Sequence, residues 1–178
     1  AFLDRGGGVL VAPGDRTIAD AWNADLVALG QELGQTDLWL VPERERWRVD
    51  IASEPVAGRV EIPRGGAAVR APIVARMERL YLASGRGGAS APADPRTMRG
   101  LLLETDSFAL NGRRFGRLSA DVQPDPLGLR LTSFTAQSAS FELQGSGSWL
   151  RGAQGPVTRL AFSLASGDLA ATLDELGF

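Results

Sequence analysis

The chain has 178 residues, 44% of them hydrophobic, and a net charge of −2. That suits one sizeable domain or two small repeats sharing a core, with no bulk electrostatic pull toward nucleic acid. It contains no His, Cys or Lys, which excludes a Ser-His-Asp triad, imidazole or thiolate metal ligands, disulfides, a Walker A phosphate loop and a Schiff base.

In chain order, residues 1–22 carry one short apolar run, Val9-Leu10-Val11, and a Pro13-Gly14-Asp15 turn. A short strand or helix is expected there, continuing from an upstream part. The chain starts at Ala1 rather than Met and reads as a piece of something longer. No run approaches the ~18 apolar residues of a membrane span, and no signal peptide is visible.

A first β-meander is expected over residues 23–84. Leu26 and Ala28 lead to Gly30 and Gly34, and Leu38 and Leu40 share one face of the next strand. Trp47, Val49 and Ile51 then alternate with Arg46, Arg48 and Asp50, and Val60 and Ile62 with Arg59 and Glu61. A period of two marks strands buried on one side. The run from Pro72 to Ser84 is read as a further strand. Its apolar parity slips between Met77 and Leu80, which calls for a bulge or bend. A helix over the same run fits the spacing of Ile73, Val74, Met77 and Leu80 but suits its strand-rich surroundings less well.

Residues 85–97 are rich in Gly, Ala, Ser and Pro and are expected to form a flexible loop. Its SGRGG stretch has neither the spacing nor the Lys of a phosphate-binding loop. A second meander is expected over residues 98–165. Phe108 and Leu110 end one strand, Asn111-Gly112 makes a hairpin turn, and Leu118, Ala120 and Val122 alternate along the return strand. Leu127, Leu129 and Leu131, then Phe141 and Leu143, then Leu160, Phe162 and Leu164 follow. Residues 166–178 close the chain with a short helix, N-capped within Ser166-Gly167-Asp168 and stopped at Gly177.

The two meanders align at one offset. Gly112 lies 82 residues after Gly30, Gly116 after Gly34 and Pro124 after Pro42. The same shift pairs Leu40 with Val122, Trp47 with Leu129 and Val49 with Leu131. This suggests duplication of one supersecondary unit; two similar meanders arising independently are the plainer alternative. In the second unit, apolar parity changes around Gly116, a candidate bulge that would curve the sheet. Gly34 occupies the same place in the first.

Three stretches then carry a resemblance: PIVARMERL, ETDSFALNGRRFGRL and the closing SGDLAATLDELGF. Their order and spacing resemble the C-terminal part of the YhdP-type AsmA-like proteins of Gram-negative envelopes, across nearly the whole chain from Asp25 onward. The loop at residues 85–93 is longer and richer in Gly than that pattern.

The resemblance implies a mainly β fold. It would be a curved antiparallel meander, a half-open β-groove or taco, made of two tandem repeats with a short C-terminal helix. It also implies a periplasmic segment of an inner-membrane-anchored protein that guides phospholipid between inner and outer membrane. The expected partners are phospholipid acyl chains, the rest of the same polypeptide and envelope proteins. The lipid-facing candidates are Leu26, Leu38, Leu40, Trp47, Val49, Ile51, Val60, Ile62, Phe108, Leu110, Leu118, Val122, Leu129, Leu131, Phe141 and Leu143.

The competing reading is a structural or protein-binding β-domain of the envelope whose apolar face is wholly self-buried. An enzyme comes third. Asp50, Glu61, Asp121 and Glu142 sit among Arg residues on polar strand faces and read as a solvated surface. Tyr81, the only Tyr, reads as packed. No catalytic residue, cofactor or metal is expected.

Overall fold

Nine strands of alternating pattern join into one sheet. They are β5 (Thr36–Pro42), β6 (Arg46–Ser53), β7 (Val56–Pro63), β8 (Ile73–Leu82), β9 (Leu101–Leu110), β10 (Arg113–Asp125), β11 (Gly128–Gln137), β12 (Phe141–Gly152) and β13 (Gly155–Ser166). They lie side by side in chain order, and the sheet does not close, because β5 and β13 form opposite edges. The structure, a computed structural model, describes residues 36–64, 71–83 and 94–178. Upstream it describes the backbone of two hairpins, β1 (Val9–Val11) with β2 (Ile18–Asp20) and β3 (Val27–Ala28) with β4 (Gln31–Glu32). Leu26, Gly30, Gly34, Ser84 and residues 85–93 of the expected loop lie outside the described residues.

Every pairing in the sheet is antiparallel except one. β8 and β9 run parallel, with Ile73 beside Leu101 and Leu82 beside Leu110. Parallel neighbours need a long crossover, which is the physical role of the segment between Leu82 and Leu101. The sheet is therefore mixed rather than purely antiparallel. Part of the crossover departs from the featureless loop expected there. The Asp94 carboxylate accepts from the Arg96 amide at 3.0 Å and caps a 3-10 turn at Pro95–Thr97. Pro95 is fully buried, and the turn packs against β11 and β12.

Some strand registers recur at the 82-residue offset. The β3–β4 hairpin pairs Val27 with Glu32 and Ala28 with Gln31. Shifted by the same offset, the β9–β10 hairpin pairs Ala109 with Arg114 and Leu110 with Arg113. Leu40↔Val49 in β5–β6 has its counterpart in Val122↔Leu131 of β10–β11. The match ends at the next turn, Ser53–Val56, which is tighter than the Gln137–Phe141 connection of the second unit. The two units stand next to each other in one sheet, so they do not face each other as the halves of a sandwich.

Bulges fall in a band across β8 to β11, and those expected near Met77–Leu80 and at Gly116 are among them. Between β7 and β8 the register shifts at Ala57/Gly58, skipping Glu78. β9 and β10 shift on both sides of Gly116, whose φ is 72°. β11 shifts at Thr132, against β10 and β12 alike. Bulges bend the strand that carries them and increase local twist. Asn111 (φ 55°) and Gly112 (φ 77°) form the expected tight turn between β9 and β10.

The helix α1 (Leu169–Glu175) starts where Asp168 accepts from the Ala171 amide at 3.0 Å. It ends in paired bonds from Gly177 N to Asp174 O and from Phe178 N to Leu173 O, with Gly177 at φ 75°. This is a Schellman stop, which favours glycine at its left-handed position. Thr172, fully buried, bonds its hydroxyl to the Ser140 carbonyl at 3.0 Å. Glu175 accepts from Ser138 and Ser140. α1 thus sits on the turn between β11 and β12, at the end of the sheet.

Candidate functional site

Residues directly opposite in neighbouring strands share a face, so the registers assemble the apolar side chains into rows across the sheet. One row crosses all nine strands: Leu38, Ile51, Gly58, Met77, Thr105, Leu118, Ala136, Leu143 and Leu164. A second, two residues along, reads Leu40, Val49, Val60, Ala75, Leu103, Ala120, Phe134, Gly145 and Phe162. A third is built by Trp47 with Ile62, then by Ile73, Leu101, Val122, Leu131, Gly147 and Leu160 in mutual register. Leu129 extends it beside Pro124 and Trp149. At an inter-strand spacing near 4.8 Å, nine strands give an apolar band on the order of 40 Å long.

Beyond the bulges the same face continues through Phe108 and Leu110. Phe115 stacks between Phe108 and Phe141, with centroid separations of 5.7 and 6.3 Å. Every lipid-facing candidate that lies within the described residues is on this one face.

Burial along the face is graded. Met77 is 6% exposed, Leu118 3%, Ala136 0% and Phe141 5%, whereas Leu160, Phe162 and Leu164 on β13 are 55%, 52% and 49% exposed. Among the described elements, only two make extensive contact with the sheet from outside it: β2 beside β5, and the Pro95–Thr97 turn on β11 and β12. The central side chains therefore bury one another. Ala136 lies between Leu118 and Leu143, and Ala75 between Val60 and Leu103, so large neighbours roof small ones. Thr105, 2% exposed in the first row, turns its hydroxyl to the Ser107 carbonyl at 3.1 Å. This satisfies its polar atom within its own bulge.

The opposite face is charged and internally paired. Asp50 bonds Arg59 at 2.6 Å and Arg48 at 3.2 Å, and Arg46 bridges Glu43 and Glu61 at 2.7 Å each. Hydrogen bonds from Arg46 hold the Glu43 carboxyl below its usual range. Asp121 and Glu142 are on this side too, opposite Ser133 and Gln137. Tyr81 differs from expectation. It is 40% exposed on the polar side, with its hydroxyl 3.1 Å from Ser107. Parity explains this, because Leu80 and Leu82 take the apolar positions on either side of it. A depression of about 560 Å³ on the polar face is ringed by Arg76, Glu104, Asp106 and Arg117. Those charges lie 3.7–3.9 Å apart in the pairs Arg117–Asp106 and Arg76–Glu104. Among the described residues, no acidic cluster could hold a metal ion.

The candidate set omitted several members of the face. Phe134 and Ala136 follow the Thr132 bulge, and a three-residue step from Leu131 to Phe134 is the same parity slip that marked Met77 to Leu80. Leu101 and Leu103 sit in an all-Leu run whose middle member, Leu102, points the other way and is 39% exposed. Trp149 is separated from Leu143 by Gly145 and Gly147, which interrupt the visible alternation. Phe115 changes side only because of the bulge at Gly116.

The sequence model of the family described as "YhdP protein" matches residues 6–178. No curated protein and no solved structure matches the chain.

Proposed function

The chain belongs to the YhdP family, and on that premise we propose that its apolar face receives phospholipid acyl chains. In this reading the chain is a non-enzymatic segment of an AsmA-like envelope protein, anchored in the inner membrane. It lines a path for phospholipid through the periplasm to the outer membrane. The observation that carries the reading is the continuity of the apolar rows across all nine strands, with no second layer over them among the described residues. A monomeric sheet with one apolar side must cover it. Burying each Leu, Val, Ile or Phe stabilises by roughly 1.5–3 kcal/mol, so an acyl chain laid along the rows gains in the same way. The salt-bridged opposite face suits water. Among the described residues no helix is long and apolar enough to cross a membrane, and the inner-membrane anchor is assigned to no segment here.

The test is lipid loading. The chain is incubated with phospholipid vesicles, repurified and extracted, and the extract is examined by mass spectrometry beside Val49→Asp and Leu131→Asp variants that keep their strand content. The wild type is expected to carry phospholipid and the variants markedly less. A folded wild type that carries none, or variants loaded equally well, overturns the reading in favour of a structural or protein-binding domain.

A further inference from the structure

At one end of β6 to β9 the apolar face meets charge. No position in the three rows is charged. Arg64 follows Ile62 by two residues, just past the end of β7 and in step with the apolar side. Its guanidinium lies over the Trp47 ring, 5.0 Å from the centroid. Arg99 stands just before β9. It reaches across the start of β8 and donates one N–H to the Pro63 carbonyl at 3.0 Å. Two guanidiniums thus gather at the end of β7, beside an indole. Both arginines are exposed, and neither forms an ion pair among the described residues. The polar face of the same strands differs. Arg46, Arg48 and Arg59 each meet a carboxylate there, and Glu43 and Glu61 are both bridged by Arg46. Stacking engages the flat face of the Arg64 guanidinium and leaves the N–H groups in its plane available. Arg99 commits one of its five N–H donors to Pro63.

We infer that Arg64 and Arg99 form a binding station for the phosphate of a phospholipid headgroup. The inference rests on the acyl-chain reading and adds to it where the headgroup sits and which way the lipid points. The third apolar row begins at this point, with Trp47 beside Ile62 and then Ile73 and Leu101. A lipid whose phosphate is held at the end of β7 therefore lays its chains over that row and along the strands toward Phe108 and Phe115. The chemistry matches at both ends of the ligand. A phosphodiester presents anionic oxygens that guanidinium forks bind through paired, charge-assisted hydrogen bonds. Trp47 supplies an amphipathic ring at the boundary between the charged and apolar parts, the place such rings take where hydrocarbon meets headgroups. A diacylglycerol with the same chains has nothing for the two arginines to hold.

The test is a competition between two lipids that differ only in the headgroup. The chain is incubated with phosphatidylglycerol vesicles containing the diacylglycerol with the same acyl chains, then repurified and extracted, and the ratio of the two lipids is measured. The wild type is expected to enrich phospholipid over diacylglycerol by about fivefold or more relative to the vesicle. Arg64→Gln/Arg99→Gln, with strand content unchanged, should carry as much lipid in total but at the vesicle ratio. Arg64→Gln alone, which breaks no side-chain hydrogen bond among the described residues, should already lower the enrichment. Arg64→Lys/Arg99→Lys keeps the charge and should keep most of it. Arg130→Gln/Arg159→Gln removes two arginines from the polar face and should leave it unchanged. The inference is overturned by a wild type loaded at the vesicle ratio, by a folded Gln variant that keeps the enrichment, or by an equal loss in the polar-face pair. In each of these cases lipid is still bound and the acyl-chain reading stands. A wild type that takes up neither lipid removes both.

Discussion

The Phe162 ring of β13 lies over the bare backbone of Gly145 on β12, and through that gap it reaches Phe134 of β11 at 5.8 Å, edge to face. The glycine leaves room for an aromatic contact across two strand intervals. A Cβ on Gly145 would collide with the ring. Gly145→Val is therefore expected to displace Phe162 and cost about 1–3 kcal/mol by overpacking. Ser146→Val, next along the strand on the polar side, should stay within about 0.5 kcal/mol. Urea unfolding of the two variants checks the difference.

Gly116 and Gly112 share a left-handed φ, 72° and 77°, but differ in surroundings. A Cβ on Gly116 would run into the Gln137 carbonyl of β11, whereas one on Gly112 meets nothing within 4 Å. Gly112→Ala should cost only the backbone penalty, about 1 kcal/mol. Gly116→Ala should cost more than about 2 kcal/mol, because the bulge must open to admit the methyl. Equal midpoints in denaturant would contradict the role given to the bulge.

The apolar face is core at its centre and surface at its edge. Leu118, 3% exposed, and Leu160, 55% exposed, occupy equivalent sides of their strands. Leu118→Ala is expected to destabilise by about 2–5 kcal/mol and Leu160→Ala by less than about 1 kcal/mol. Thermal unfolding of both variants measures the gradient directly.

Period-two alternation made the strands legible, and the Met77–Leu80 slip made the first bulge legible. Asp168 and Gly177 announced both ends of α1 through local chemistry alone. The parallel β8–β9 pair left no comparable mark. Strand direction at a junction depends on where an eighteen-residue crossover lands, a non-local choice. The same limit hid Phe134, Ala136 and Phe115. Their side of the sheet is decided by a bulge between them and the residues whose parity could be read. Gly145 and Gly147 look like breaks in a strand until Phe162 and Leu160 are seen to lie over them.

Asp94 supplies a pH-dependent test of the crossover. Its carboxylate accepts from the Arg96 guanidinium at 2.6 Å and from the Arg96 amide at 3.0 Å. The side-chain bond first, then the backbone bond, lowers its pKa to about 2. A depressed carboxylate stabilises the fold above its unfolded value of about 3.9. That contribution is lost as pH falls toward 2. An NMR titration should place the Asp94 midpoint near 2, and Arg96→Gln should move it upward. Because the site is exposed, added salt should shrink the difference.

Site-specific photocrosslinking in cells tests the central claim most directly. A benzoylphenylalanine at Val60 or Leu131 stands on the apolar face, and one at Arg59 or Arg130 stands beside it on the polar face. Phospholipid adducts are expected from Val60 and Leu131 and not from Arg59 or Arg130. Adducts that do not distinguish the two faces, or their absence from the apolar positions in a folded protein, would contradict the account.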